Sequence, residues 1–165
     1  MPTVILPTLP VIPLFLHGLD SSTKGTKAQW FRTRFPHVGM RDYDGSLENR
    51  LAQLEEQTAG VGRLVLVGSS FGGLMAACFA ARHPGRCRRL VLLAPALNFS
   101  DYQPPPAPLE VPTFLMIGID DTICPPDLVI PQAQATFTNL EVRLENDDHM
   151  LHRTFPLLDW PRLLA

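Results

Sequence analysis

Cysteine is scarce in this chain: Cys78, Cys87 and Cys124 are odd in number and show no metal-ligand spacing. Neither a disulfide framework nor a zinc centre is expected, and a reducing compartment fits. An excess of one charge is also lacking. The formal net charge of -2 gives no electrostatic case for nucleic acid. The basic cluster Arg82, Arg86, Arg88 and Arg89 reads as a solvated loop between a helix and a strand. No apolar run reaches membrane-spanning length. The N-terminal MPTVILPTLP lacks the basic start and long apolar core of a secretory leader. These absences point to a cytoplasmic, soluble protein without membrane or nucleic-acid partners. With 165 residues, 45% of them hydrophobic and 18% charged, one globular domain over 1–165 is the simplest organisation.

Short apolar runs alternate with helical patterns along the chain. Val11 to Leu16 reads as a strand, with Pro13 arguing for a start at Leu14. Ala28, Phe31 and Phe35 share a helical face that Pro36 ends. Val38 to Asp44 is a weaker strand, and Ser46 caps a helix that carries Leu47, Leu51 and Leu54 to about Thr58. Leu64 to Val67, Leu90 to Ala94 and Thr113 to Ile117 are buried strands. Asn98 to Pro112, with five prolines, is loop. A helix from about Asp127 to Phe137 carries Pro131, tolerable only in its first turn. Leu140 to Leu144 alternates like an edge strand, and a broken helix follows from Met150 to Ala165. About six mainly parallel strands with helices on both faces make a three-layer α/β sandwich, whose ligands bind beyond the carboxyl ends of the strands.

Gly68-Ser69-Ser70-Phe71-Gly72 joins one of these strands to an alanine-rich helix, giving G-x-S-x-G in the strand-turn-helix context that exposes a nucleophile. Ser69 lies one place early and faces packing. Gly68 and Gly72 leave room where a side chain would collide, and the helix start directs free N–H groups toward a developing oxyanion. A serine hydroxyl needs a base, and the base needs an acceptor that fixes its tautomer. The chain order Ser, Asp, His is supplied by Ser70, then Asp120 or Asp121, then His149 directly past the last strand, with His152 as the other candidate base. Asp147, Asp148, His149 and His152 could instead form a metal cluster, but their spacing matches no standard site. Cys124 reads as packing rather than nucleophile.

Phe15-Leu16-His17-Gly18-Leu19, Gly68 to Gly72 and Gly118-Ile119-Asp120-Asp121-Thr122-Ile123-Cys124-Pro125 resemble the oxyanion loop, nucleophile elbow and acid loop of α/β-hydrolases. The stretches LHGLDSSTKGTKAQWF, DYDG and VGSSFGG are similar to the small, cap-less YqiA-like esterases. The resemblance implies Ser70 as nucleophile, Asp121 as acid, His149 as base, and the main-chain N–H groups of Leu19 and Phe71 as the oxyanion hole. It implies a minimal fold without a cap domain and a serine carboxylesterase, with no metal and no cofactor; the short proline-rich Asn98 to Pro112 segment, where relatives insert caps, suggests an open pocket for small soluble esters. Thioesters, lipid-like acyl substrates or ligand binding without catalysis are the alternatives on this fold. The chain departs from the pattern in lacking the first strands, in Cys124 for the usual valine of the acid loop, and in Asp147-Asp148 where a glycine usually precedes the histidine.

Overall fold

Leu64, Leu66, Leu90, Leu92, Leu115 and Ile117 turn to one face of a sheet, while Val65, Val67, Val91, Leu93, Phe114 and Met116 turn to the other. Strands apolar on both faces must be covered on both, and that demand sets the architecture. The structure is a computed structural model and describes residues 1–4 and 9–165. Part of the N-terminal stretch read as carrying no leader therefore lies outside the described residues. Among the described residues the strands are β1 (Val11–Leu16), β2 (Arg63–Ser69), β3 (Cys87–Leu93), β4 (Thr113–Gly118) and β5 (Leu140–Glu145). They form one parallel sheet in the order β1-β2-β3-β4-β5. The helices are α1 (Thr26–Arg34), α2 (Leu47–Thr58), α3 (Phe71–Arg82), α4 (Pro126–Thr136) and the single turn α5 (Trp160–Leu163), with a 3-10 turn at Phe155–Leu157.

Leu51, Leu54, Leu74, Phe79, Val129 and Ala133 from α2, α3 and α4 cover the first face. On the second, Ala28 and Phe31 of α1 pack with Phe155, Trp160 and Leu163 from the chain's end. The expected broken terminal helix is this 3-10 turn plus α5, with Pro156 and Pro161 both near element starts, where their missing N–H groups are not needed. Trp160 meets Phe31 edge-on at 4.7 Å and donates its indole N–H to the Phe155 carbonyl at 2.8 Å.

Three local readings are corrected. The sixth strand expected over Val38 to Asp44 is a single parallel bridge between Leu14 and Gly39. Beyond it, Tyr43 N–H donates to the His17 ring and the Asp42 carboxylate accepts from Thr23 N–H, so side chains replace a ladder. Pro13 sits inside β1 rather than before it. Its carbonyl accepts from Gly39 N–H and Phe15 N–H donates to Gly39 O, both on the outer edge, so the missing proline N–H faces no strand. Pro131 lies in the second turn of α4, not the first; it and Asp127, whose carbonyl loses a partner, are both solvent-exposed. β5 is the far edge, and its Val142 and Leu144 remain exposed.

Truncating Trp160, only 1% exposed, to alanine opens a cavity against α1 and should lower unfolding free energy by about 3–5 kcal/mol in urea titrations.

Candidate active site

Parallel strands deliver their following loops to one rim of the sheet, and the polar residues singled out from the sequence meet there. Ser70 follows β2, Asp121 follows β4 and His149 follows β5. Ser70 has φ 56 and ψ -115, a conformation that strongly favours glycine. It is held by the close approach of α3 to the sheet: a Cβ on Gly72 would overlap the Leu16 carbonyl, and one on Gly68 would overlap the Gly72 carbonyl. The Ser70 carbonyl accepts from Gly73 and Ala96 N–H, both at 2.9 Å, and Ser70 N–H donates to Leu93 O, also at 2.9 Å.

The turn presents Ser70 Oγ 3.0 Å from His149 Nε2, and His149 Nδ1 lies 2.8 Å from Asp121 Oδ2. A carboxylate only accepts, so Nδ1 carries the proton and Nε2 is left as acceptor for the serine hydroxyl. Asp121 is buried; its other oxygen accepts from Ile123 N–H at 2.9 Å and Cys124 N–H at 2.7 Å, which fixes the carboxylate before it meets the imidazole. Asp120 is exposed, and its main chain donates to Asp147 O. His152 lines the same cavity but bonds to neither serine nor aspartate; burial, then Lys27, lowers its pKa.

His17, 2% exposed, accepts Tyr43 N–H at Nε2 (2.8 Å), so its proton sits on Nδ1 and is donated to Gly18 O at 2.7 Å. That loop crosses Ser70 closely enough that a Cβ on Gly18 would touch Ser70 Cβ. The N–H groups of Leu19 and Phe71 make no hydrogen bond among the described residues, and both residues line the cavity beside Ser70. The cavity holds about 460 Å³ and is bordered by Phe15, Phe71, Phe99, Ile123, Met150 and Lys27 among others. Cys124 borders it too, with a thiol pushed up to about 11 by burial and the Asp121 charge, which keeps it protonated at neutral pH.

Two buried charged residues, Arg50 and Lys27, escaped the sequence reading, and a third, Asp147, entered it only as a possible metal ligand and a departure from the family pattern. Arg50 donates to Leu19 O at 3.2 Å and Gly45 O at 3.1 Å and lies over the Phe71 ring, bracing the loops around both free N–H groups. Asp147 accepts from Asp148 N–H, Arg153 N–H, Thr154 N–H and the Thr154 hydroxyl at 2.8 to 3.2 Å and so shapes the His149 loop. Its carboxylate is thereby committed, and among the described residues no cluster of three or more His, Cys, Asp or Glu is arranged to hold a metal. Lys27, at the start of α1, donates to Met150 O at 2.5 Å. Only a helix position that puts Lys27 beside Ala28 on the buried face hinted at it.

Fold and site together define a hydrolase of the three-layer α/β class. Residues 16–111 match the family model described as alpha/beta hydrolase fold, and the chain belongs to that family. No curated protein matches it. Among solved structures it is similar to alpha/beta hydrolase domain-containing protein 10 from mouse (18% identity, TM-score 0.71, covering 88% of this chain and 84% of that one). It is similar also to a YdeN-like hydrolase from Pectobacterium atrosepticum (24%, 0.68, 84% and 79%). A third is Est1E from Butyrivibrio proteoclasticus with ferulic acid bound (15%, 0.69, 95% and 88%). At these identities the likeness is one of fold.

Two predictions follow from the local geometry. Replacing Ser70 by glycine should leave the protein about 1 kcal/mol more stable than replacing it by alanine, because only glycine is at ease at that φ and ψ; equal denaturation midpoints would contradict the strain. Burial opposes ionisation of Asp147, but the bonds from Thr154 and Asp148 outweigh it and hold its pKa below the ordinary value. Its stabilisation should be complete above pH about 4 and fade as pH falls through the depressed value. Asp147→Asn should therefore cost at least ~1 kcal/mol at pH 7, with the gap to the wild type closing in acid.

Proposed function

We propose that this chain is a serine carboxylesterase that cleaves small carboxylic esters through an acyl-enzyme. The observation that carries the reading is the unbroken relay from Ser70 Oγ through His149 to Asp121, opening on a cavity large enough for a small substrate. Ser70 attacks the ester carbonyl as His149 Nε2 takes its proton. Asp121 stays ionised and stabilises the imidazolium. The tetrahedral oxyanion is received by Leu19 N–H and Phe71 N–H, the latter at the positive end of α3. His149 returns the proton to the leaving alcohol, then activates water for the second half-reaction, and Ser70 is restored. The chemistry needs no metal or organic cofactor, and the partner is a small-molecule ester.

The short loop after β3 is what favours a small ester, since Asn98 to Pro112 contributes Asn98 and Phe99 to the cavity wall and no further element. Thioesters would meet the same relay and serve as the second reading.

The wild type should take a covalent fluorophosphonate label and turn over p-nitrophenyl acetate. Ser70→Ala should abolish labelling and lower turnover at least about 10³-fold, with His149→Ala losing a comparable factor and His152→Ala far less. Full turnover by Ser70→Ala would end the proposal, and loss confined to His152→Ala would reassign the base.

A further inference from the structure

Lys27 is an anomaly in the cavity wall. It is 8% exposed, yet among the described residues no carboxylate pairs with it. Of its three ammonium N–H groups one is donated to Met150 O, and the Phe155 ring lies 5.3 Å away on the core side. The titratable groups facing it are Asp147, Asp148 and His152, all from the loop that carries His149. Neither carboxylate bonds to it: Asp147 is taken up by the donors described above, and the exposed Asp148 accepts Met150 N–H at Oδ1 (3.0 Å) and acts on Lys27 only through space. A buried cation without a bonded counter-charge is costly unless something else is gained. Here it borders the same cavity as Ser70 and His149, beside Ser21 and Thr26, whose hydroxyls can also donate.

Resting on the esterase reading of Ser70, we propose that Lys27 is a substrate-binding residue that selects esters bearing a free carboxylate, its ammonium receiving that carboxylate while the ester carbonyl lies at Ser70. A single ammonium matches a monoanion. Asp20 on the same wall repels any anion and a doubly charged phosphate about twice as strongly as a carboxylate. Burial, opposed by Asp147 and Asp148, lowers the Lys27 pKa to about 8. The ammonium is therefore the main form at pH 7, and it is lost as pH rises past 8.

The test compares each carboxylate ester with the neutral ester that has a methyl group in its place, by pH-stat on the intact protein. Monoethyl succinate is paired with ethyl butanoate, monoethyl glutarate with ethyl pentanoate and monoethyl adipate with ethyl hexanoate. For an acid on the alcohol side, 4-acetoxybutanoate is paired with butyl acetate. At pH 7 the wild type should favour the anionic member of at least one pair by about tenfold or more in kcat/KM, mainly through KM. That preference should decline above pH 8. Lys27→Met should collapse the ratio toward one and Lys27→Arg should keep part of it, because Arg retains the charge. A wild type that prefers the neutral member of every pair overturns the proposal without reference to any variant. Equal losses by Lys27→Met on both members would make Lys27 only a tie to the His149 loop, which also overturns it. If the wild type hydrolyses no ester and takes no fluorophosphonate label, the esterase reading has failed and the substrate preference goes with it.

Discussion

The close approach of α3 to the end of β1 is the constraint on which the rest of the structure depends. Without side chains on Gly68 and Gly72, the first turn of α3 settles against the Leu16 carbonyl, and the chain can pass from strand to helix only by forcing Ser70 to φ 56 and ψ -115. The strained turn lifts the hydroxyl off the sheet and brings the loop after β1 across it. It also places Phe71 N–H at the head of a helix in which no side chain caps that end. Local strain is tolerated because the flanking elements are among the most deeply buried: Leu64 to Val67 and Leu74 to Ala76 are all 0% exposed.

A second close approach aligns the other half of the site. A Cβ on Gly118 would overlap the Asp147 carbonyl, so the loops after β4 and β5 lie backbone against backbone, joined by Asp120 N–H donating to Asp147 O. Asp121 and His149, 28 residues apart, meet at 2.8 Å because those two loops have no side chain between them. Asp147, the first of the two aspartates that precede the histidine and an apparent departure from the sequence pattern, thus does two things that a glycine could not do together. Its carbonyl packs on Gly118, and its carboxylate gathers the N–H groups of the turn that follows.

The layers of the fold were legible because they rest on periodicity. Short apolar runs punctuated by glycine and proline locate β1 to β4, the apolar-charged alternation of Leu140 to Leu144 locates β5, and Ser46 caps α2 by accepting from Asn49 N–H as its position before Leu47 suggested. Order along the chain and position after strands were enough to bring Ser70, one of Asp120 and Asp121, and His149 to one rim; the resemblance to the acid loop singled out Asp121, whose carboxylate lies against His149. What periodicity could not show is which backbone groups find side-chain partners. The stretch after Val38 has strand-like composition, but the N–H groups of Tyr43 and Asp44 go to the His17 ring and the Gln53 side chain rather than to a strand. Lys27 and Arg50 look like exposed helix residues by type and are 8% and 4% exposed because of partners that lie 123 and 31 positions away.

The distribution of buried polar groups separates what the fold needs from what the site needs. Thr58, Thr113 and Thr136 are buried, but each hydroxyl donates to a carbonyl two to four residues back, a bond the local backbone supplies by itself. The buried histidine, lysine, arginine and aspartate residues among those described are His17, Lys27, Arg50, Asp121 and Asp147, and each bonds to a loop at the carboxyl ends of the strands. Removing such groups from water is costly, and apolar packing of equal volume would serve stability at least as well. Their gathering at one rim, with none in the two apolar layers, is what a fold shows when rigidity of particular loops has been favoured over stability of the whole. A relay with contacts of 2.8 and 3.0 Å needs loops held to a fraction of an ångström, and hydrogen-bonded charges supply that directional restraint where methyl groups cannot.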